Sequence, residues 1–163
     1  MAVLKKLVLF SLAIDLSLWL GATVYFSFLA ANELFGGLPI DAASTAIGLL
    51  FPPYFTYVTV LSIVGWFLYW SLDRVYDLNS RSFRVGHIAL FVGVVVAIVN
   101  RFILLPMVHR LTVEMGPVSK ANPQLFHQFG MLHGISMLLD LISMIAVFVT
   151  WITLTMNLKA DFK

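Results

Sequence analysis

The chain has 163 residues, 61% of them hydrophobic and only 11% charged, with a net charge of +2 and no cysteine. That balance leaves almost nothing for a soluble domain beside the apolar stretches, and it excludes disulfides, thiolate metal sites, iron–sulfur clusters and cysteine nucleophiles. The basic residues form neither a run nor an aromatic-interleaved patch, which argues against a nucleic-acid partner.

Four apolar stretches, about 7–30, 53–71, 85–105 and 131–155, are each long enough to cross a bilayer as a helix, which takes about 20 residues. Lys5 and Lys6 precede the first. It is too long for a signal-peptide core and carries Asp15 and Trp19, so the sequence predicts a retained transmembrane helix. Gly36-Gly37-Leu38-Pro39 then reads as a turn, Asp41 as the N-cap of a short interfacial helix, and Phe51-Pro52-Pro53 as a break before the second span. Arg74, Arg81 and Arg84 fill the second connection. Beyond the third span, Gly116-Pro117 ends the helix late and Asn122-Pro123 opens the next one early. The third and fourth helices should therefore protrude together from the membrane, the fourth reaching about 50 Å over 123–155. Lys159 and Lys163 follow it. The lysine and arginine bias places both termini and the 73–84 loop in the cytoplasm. The expected fold is one all-α domain, an integral membrane four-helix bundle, N-in and C-in, in the plasma (bacterial inner) membrane.

Asp15, Asn100, Arg101, His133 and Asp140 interrupt these spans. An ionisable group at mid-membrane costs roughly 2.5–3.5 kcal/mol on insertion scales, so such residues usually face inward. Counting down both arms of the last hairpin sets Arg101 opposite Met137, with Asp140 about three residues deeper and His133 about four shallower. On the fourth helix His133, Ser136, Asp140 and Ser143 recur at steps of three and four, making one polar stripe with Met137 and Met144 beside it. Asp15, with Ser11 and Trp19 on its face, reaches toward the lower end of that stripe. Two readings follow. An Arg101–Asp140 pair can fix helix register, with Ser136 and Ser143 as small packing residues. Alternatively, paired charges and a histidine within one turn form a proton, cation or anion site.

Methionine and histidine concentrate toward the outer end, where Met107, His109, Met115, His127, Met131, His133 and Met137 lie. Thioether and imidazole suit Cu(I), so His133, Met137, His109 and His127 are candidate metal ligands, against plain packing for the methionines. Bis-imidazole ligation of haem b would instead need His109 or His127 to face His133 across the hairpin. His87, at the opposite edge, reads as interfacial. No phosphate-binding glycine loop, H-E-x-x-H or nucleophile elbow is present. Tyr25, Tyr54, Tyr57, Trp66, Tyr69, Trp70 and Trp151 read as belt and packing aromatics.

Leu50-Phe51-Pro52-Pro53-Tyr54-Phe55, then Val99-Asn100-Arg101 with Pro106, then Phe126 and His133-Gly134-x-Ser136, with Trp19 and Gly21 upstream, resemble the successive signatures of the transmembrane protein 205-like family. The resemblance implies a four-span membrane protein of undefined function and points to Asn100, Arg101, His133 and Ser136. That family's pattern favours asparagine where this chain has Asp140. The four-helix layout is also similar, by architecture alone, to CopD-type copper-resistance domains and HemJ-type protoporphyrinogen oxidases. The expected function is a non-enzymatic bundle that binds or passes a small cation or metal, copper included, at His133 and Asp140 with Arg101 setting their charge. The alternatives are a haem b redox protein, or a structural partner of a membrane complex whose stripe docks another subunit. A homo-oligomer is compatible with so thin a bundle.

Overall fold

The computed structural model describes residues 2–76 and 81–161; the middle of the second connection and Lys163 lie outside them. Helix α1 covers residues 2–37, as an α-helical run Ala2–Val24, a π-helical turn Tyr25–Ala30 and a final stretch Ala31–Gly37. Helix α2 is Ile40–Tyr76. Helix α3 covers Arg81–Met115, again with a π-helical turn, at Asn100–Leu104. Helix α4 is Pro123–Asp161. All four are long and apolar enough to cross a membrane, and the chain is a multi-pass membrane protein. Helix α3 packs most closely on α4, α1 on α2 and α2 on α3, while α4 touches α1 to close the bundle.

The reason for this arrangement is visible in which residues are hidden. Leu12, Leu16, Trp19, Tyr69, Leu72, Leu90, Val147 and Leu154 fill the centre, whereas Phe10, Leu18, Phe67, Phe91, Phe102, Ile145 and Phe148 face outward. Apolar residues on both sides are what a lipid-facing helix requires, because hydrocarbon rather than water is the outer solvent. At the end that carries both termini, Lys5 covers the ring of Tyr76 and Arg74 that of Trp70, an interfacial anchoring pattern.

The distal end departs from the expectation in three ways. Helix α2 runs unbroken through Pro52 and Pro53 rather than splitting into an interfacial helix and a span. The prolines withdraw two backbone donors but fit helical φ, and Phe51, Tyr54 and Phe55 on the same turns are fixed in an aromatic cluster with Phe26. All four helices are about equally long, so α1 and α2 accompany α3 and α4 at this end. Asp41 lies in the first turn of α2, and its carboxylate accepts the backbone N–H of Ser119 at 2.9 Å and the Ser119 hydroxyl at 2.6 Å. It ties α2 to the α3–α4 connection instead of capping its own helix. The hairpin follows the sequence. Gly116, at φ +67, ends α3 in the left-handed region, and the Asn122 side chain accepts the Gln124 N–H at 2.8 Å with Pro123 opening α4.

Candidate functional site

Tyr54, Asn100 and Asp140 stand 14, 15 and 17 residues below the distal ends of their helices, at nearly one depth of about 21–26 Å. There they meet. The Asn100 amide donates to one Asp140 oxygen at 2.9 Å, the Tyr54 hydroxyl donates to the other at 3.2 Å, and Ser136 donates to the Asn100 carbonyl oxygen at 3.2 Å. All four side chains are buried, Asn100 almost completely. Phe26, on the π turn of α1, stacks on Tyr54 with 4.1 Å between ring centres, and Thr23 and Ser27 of α1 lie near the tyrosine hydroxyl. Both π turns flank this cluster, consistent with the placement of such bulges at functional positions in other proteins.

Arg101 does not pair with Asp140. Its Nε donates to the Thr56 hydroxyl at 2.9 Å and its guanidinium lies 5.4 Å from the centre of the Phe102 ring. Successive residues on a helix point about 100° apart, so only one of Asn100 and Arg101 can face α4. A neutral amide is the cheaper group to enclose fully, and the long arginine side chain keeps its charge half-exposed on the α2 side.

Two cavities open at the distal half. The smaller, about 180 Å³, is bordered by Asp140, Ser136, Met137, His133, Ser27 and Asn32 among aromatic walls. The larger, about 450 Å³, has Arg101, His109 and His133 on its border. His133 and Phe51 belong to both. The imidazole lies between Phe129, parallel at 5.9 Å, and Phe51, tilted at 6.2 Å.

Among the expected metal ligands, His133 and Met137 thus share the smaller cavity and His109 and His133 share the larger. His127 joins neither; it lines a shallow recess with Gln124, Gln128 and Met131. No group of three or more His, Asp or Glu side chains is placed to hold a metal among the described residues. Asp15 is 4% exposed but does not reach the Asp140 cluster. It presses on Gly65 of α2, with no hydrogen-bond partner among the described residues, and Ser143 is likewise enclosed and unpartnered. The half-buried ring of His87, near the terminal end of α3, packs against Trp66, Tyr69 and Phe83.

The partners that sequence reasoning missed are Tyr54 and Thr56, both on α2. Tyr54 was legible in principle, since a phenol inside a span needs a polar partner and its depth matches that of Asp140. The bulge in α3 leaves no comparable sequence signal. Segments 50–55, 99–101 and 133–136, which carry the resemblance noted above, converge on these two cavities.

No curated protein and no solved structure matches the chain. A family model does match, over residues 14–117, taking in Tyr54, Asn100 and Arg101 and ending before the helix that supplies Asp140. The chain belongs to the family described as Domain of unknown function (DUF4149).

Proposed function

We propose that this protein is a non-enzymatic membrane bundle whose Asp140 binds a small cation, the proton first among them, taken up through the smaller cavity from the distal side. One observation carries the reading. Asp140 is 7% exposed and is held by two neutral donors, with no cationic side chain among the described residues in its shell. A carboxylate in such a low-dielectric place needs a compensating positive charge, and a proton or bound cation supplies it. Tyr54 and Asn100 fix the carboxyl group in place; Ser136, Ser27 and Asn32 offer oxygen ligands along the entrance. His133, at the boundary of both cavities, is the next proton or cation acceptor outward. The second use of the same cavity is Cu(I), for which His133 and Met137 provide imidazole and thioether.

We place the terminal end, rich in Lys5, Lys6, Arg74, Arg81 and Arg84, in the cytoplasm of the plasma (bacterial inner) membrane, and the cavities on the outer side. On the motifs quoted above, we place the chain beside the transmembrane protein 205-like group. The carbodiimide DCCD tests the site, because it modifies protonated carboxyl groups from within lipid. Asp140 should be labelled, and alkaline pH or a competing monovalent cation should suppress the labelling. Labelling that ignores both, or that spares Asp140, overturns the reading. Single cysteines at 74 and 119 test the orientation against a chain with no native thiol: position 119 should react only from outside, and reaction only from the cytoplasm inverts the topology. Elemental analysis of the purified protein, with and without His133→Ala, tests copper.

A further inference from the structure

We infer that the larger cavity binds the chain of a single long-chain carboxylate, a fatty acid, with Arg101 holding its head group. The cavity follows α3 from Arg101 to Thr112, eleven residues or about 16 Å, between α3, the first part of α2 and α4. Its volume of about 450 Å³ lies within the roughly 300–1,000 Å³ of small-molecule sites. Ile47, Phe51, Leu105, Val108 and Phe129 make its walls apolar, and no acidic residue borders it among the described residues. An elongated apolar space of this shape fits one flexible chain.

The charge is at one end. The bond from Nε to Thr56 and the contact with the Phe102 ring orient the guanidinium while leaving its two terminal amino groups without a partner among the described residues. No carboxylate of the described residues pairs with it. A half-buried arginine that is held in place, lacks a counter-ion and borders an apolar cavity is complementary to a planar anion, which its fork engages with two parallel hydrogen bonds. Arg101 also lies four residues inside the distal limit of the apolar run 85–105, a depth from which an arginine reaches the head-group layer. The carboxylate therefore stays at the interface while the chain leaves the bilayer for the protruding part of the bundle. Asp140 does not border this cavity, so the inference does not rest on its carboxyl group, although His133 borders both cavities.

The test is saturable binding of palmitate to the full-length protein in nanodiscs of zwitterionic lipid, read by displacement of a fluorescent fatty acid. One palmitate per chain is expected. Arg101→Gln should weaken binding by about tenfold or more, the loss of one charge-assisted contact. Hexadecanol, with the same chain and no charge, should bind weaker than palmitate by a similar factor. Gly48 borders the cavity and a Cβ there meets nothing within 4 Å, so Gly48→Leu should block binding without disturbing the fold. That variant decides the matter if Arg101→Gln fails to fold. Asp140→Asn should leave palmitate binding unchanged, which separates this site from the cation site. Equal binding of palmitate by Gly48→Leu, equal affinity for hexadecanol, tighter binding of lysophosphatidate than of palmitate, or a Soret band of haem that palmitate does not displace would each overturn the assignment.

Discussion

The two halves of the bundle use glycine in opposite ways. In the terminal half the helices are in contact: a Cβ on Gly93 would lie 2.6 Å from the Trp19 ring, and one on Gly86 would strike Tyr69 and Thr153. Some polar groups there bond within the bundle, Thr150 to the Ala146 carbonyl, Asn157 to the Thr153 carbonyl and Ser82 to Asn157, while Asp15 and Ser143 stay enclosed without a partner among the described residues. In the distal half a Cβ on Gly48, Gly130 or Gly134 would meet nothing within 4 Å. Among the described residues two helices carry π turns there, two cavities open, and the Asp140 carboxyl group is held by two neutral donors. We read the terminal half as the clamp and the distal half as the place for the proposed ligands. Tight packing leaves no space for a guest, and separated helices supply one at a cost in contacts.

The strongest challenge to this division is Gly93→Val. It should cost about 3 kcal/mol, the upper end of overpacking, because Trp19 is 1% exposed and has nowhere to move. Thermal unfolding in detergent measures it, and a near-neutral result would mean that the terminal half is not the clamp. Next in size is Asp140→Leu, which strands the Asn100 and Tyr54 donors and should cost about 1–3 kcal/mol. Asp140→Asn keeps acceptor capacity and should stay close to wild type in stability while losing DCCD modification at this position. If both variants are equally unstable, the carboxylate has a structural role beyond its hydrogen bonds.

A smaller effect separates two arrangements of the polar residues. Arg101 and Asp140 share no partner, so a double-mutant cycle of Arg101→Met and Asp140→Asn should give a coupling within about 0.5 kcal/mol. A direct buried pair would give several times that value, and such a result would falsify the placement of Arg101 toward Thr56. The smallest expected change is Gly134→Ala, which meets open space and should stabilise α4 by up to about 1 kcal/mol through helix propensity alone. Destabilisation there would show that the distal half is closed more tightly than its cavities suggest.

Counting along the chain is enough for the number of spans, the hairpin signals at Gly116-Pro117 and Asn122-Pro123, and the depths of Asn100, Ser136 and Asp140. Hydrophobic length and distance along a helix axis follow from counting, because each residue advances the helix by about 1.5 Å whatever its neighbours are. Direction around each axis came from the packed bundle. It turned Asn100 rather than Arg101 toward Asp140, brought Tyr54 in from α2, set Asp15 alone against Gly65 and left His127 apart from His109 and His133. Which way a side chain points depends on the packing of neighbouring helices and on the π turns. One extra residue in a turn rotates everything beyond it, and no local pattern in the sequence records that rotation.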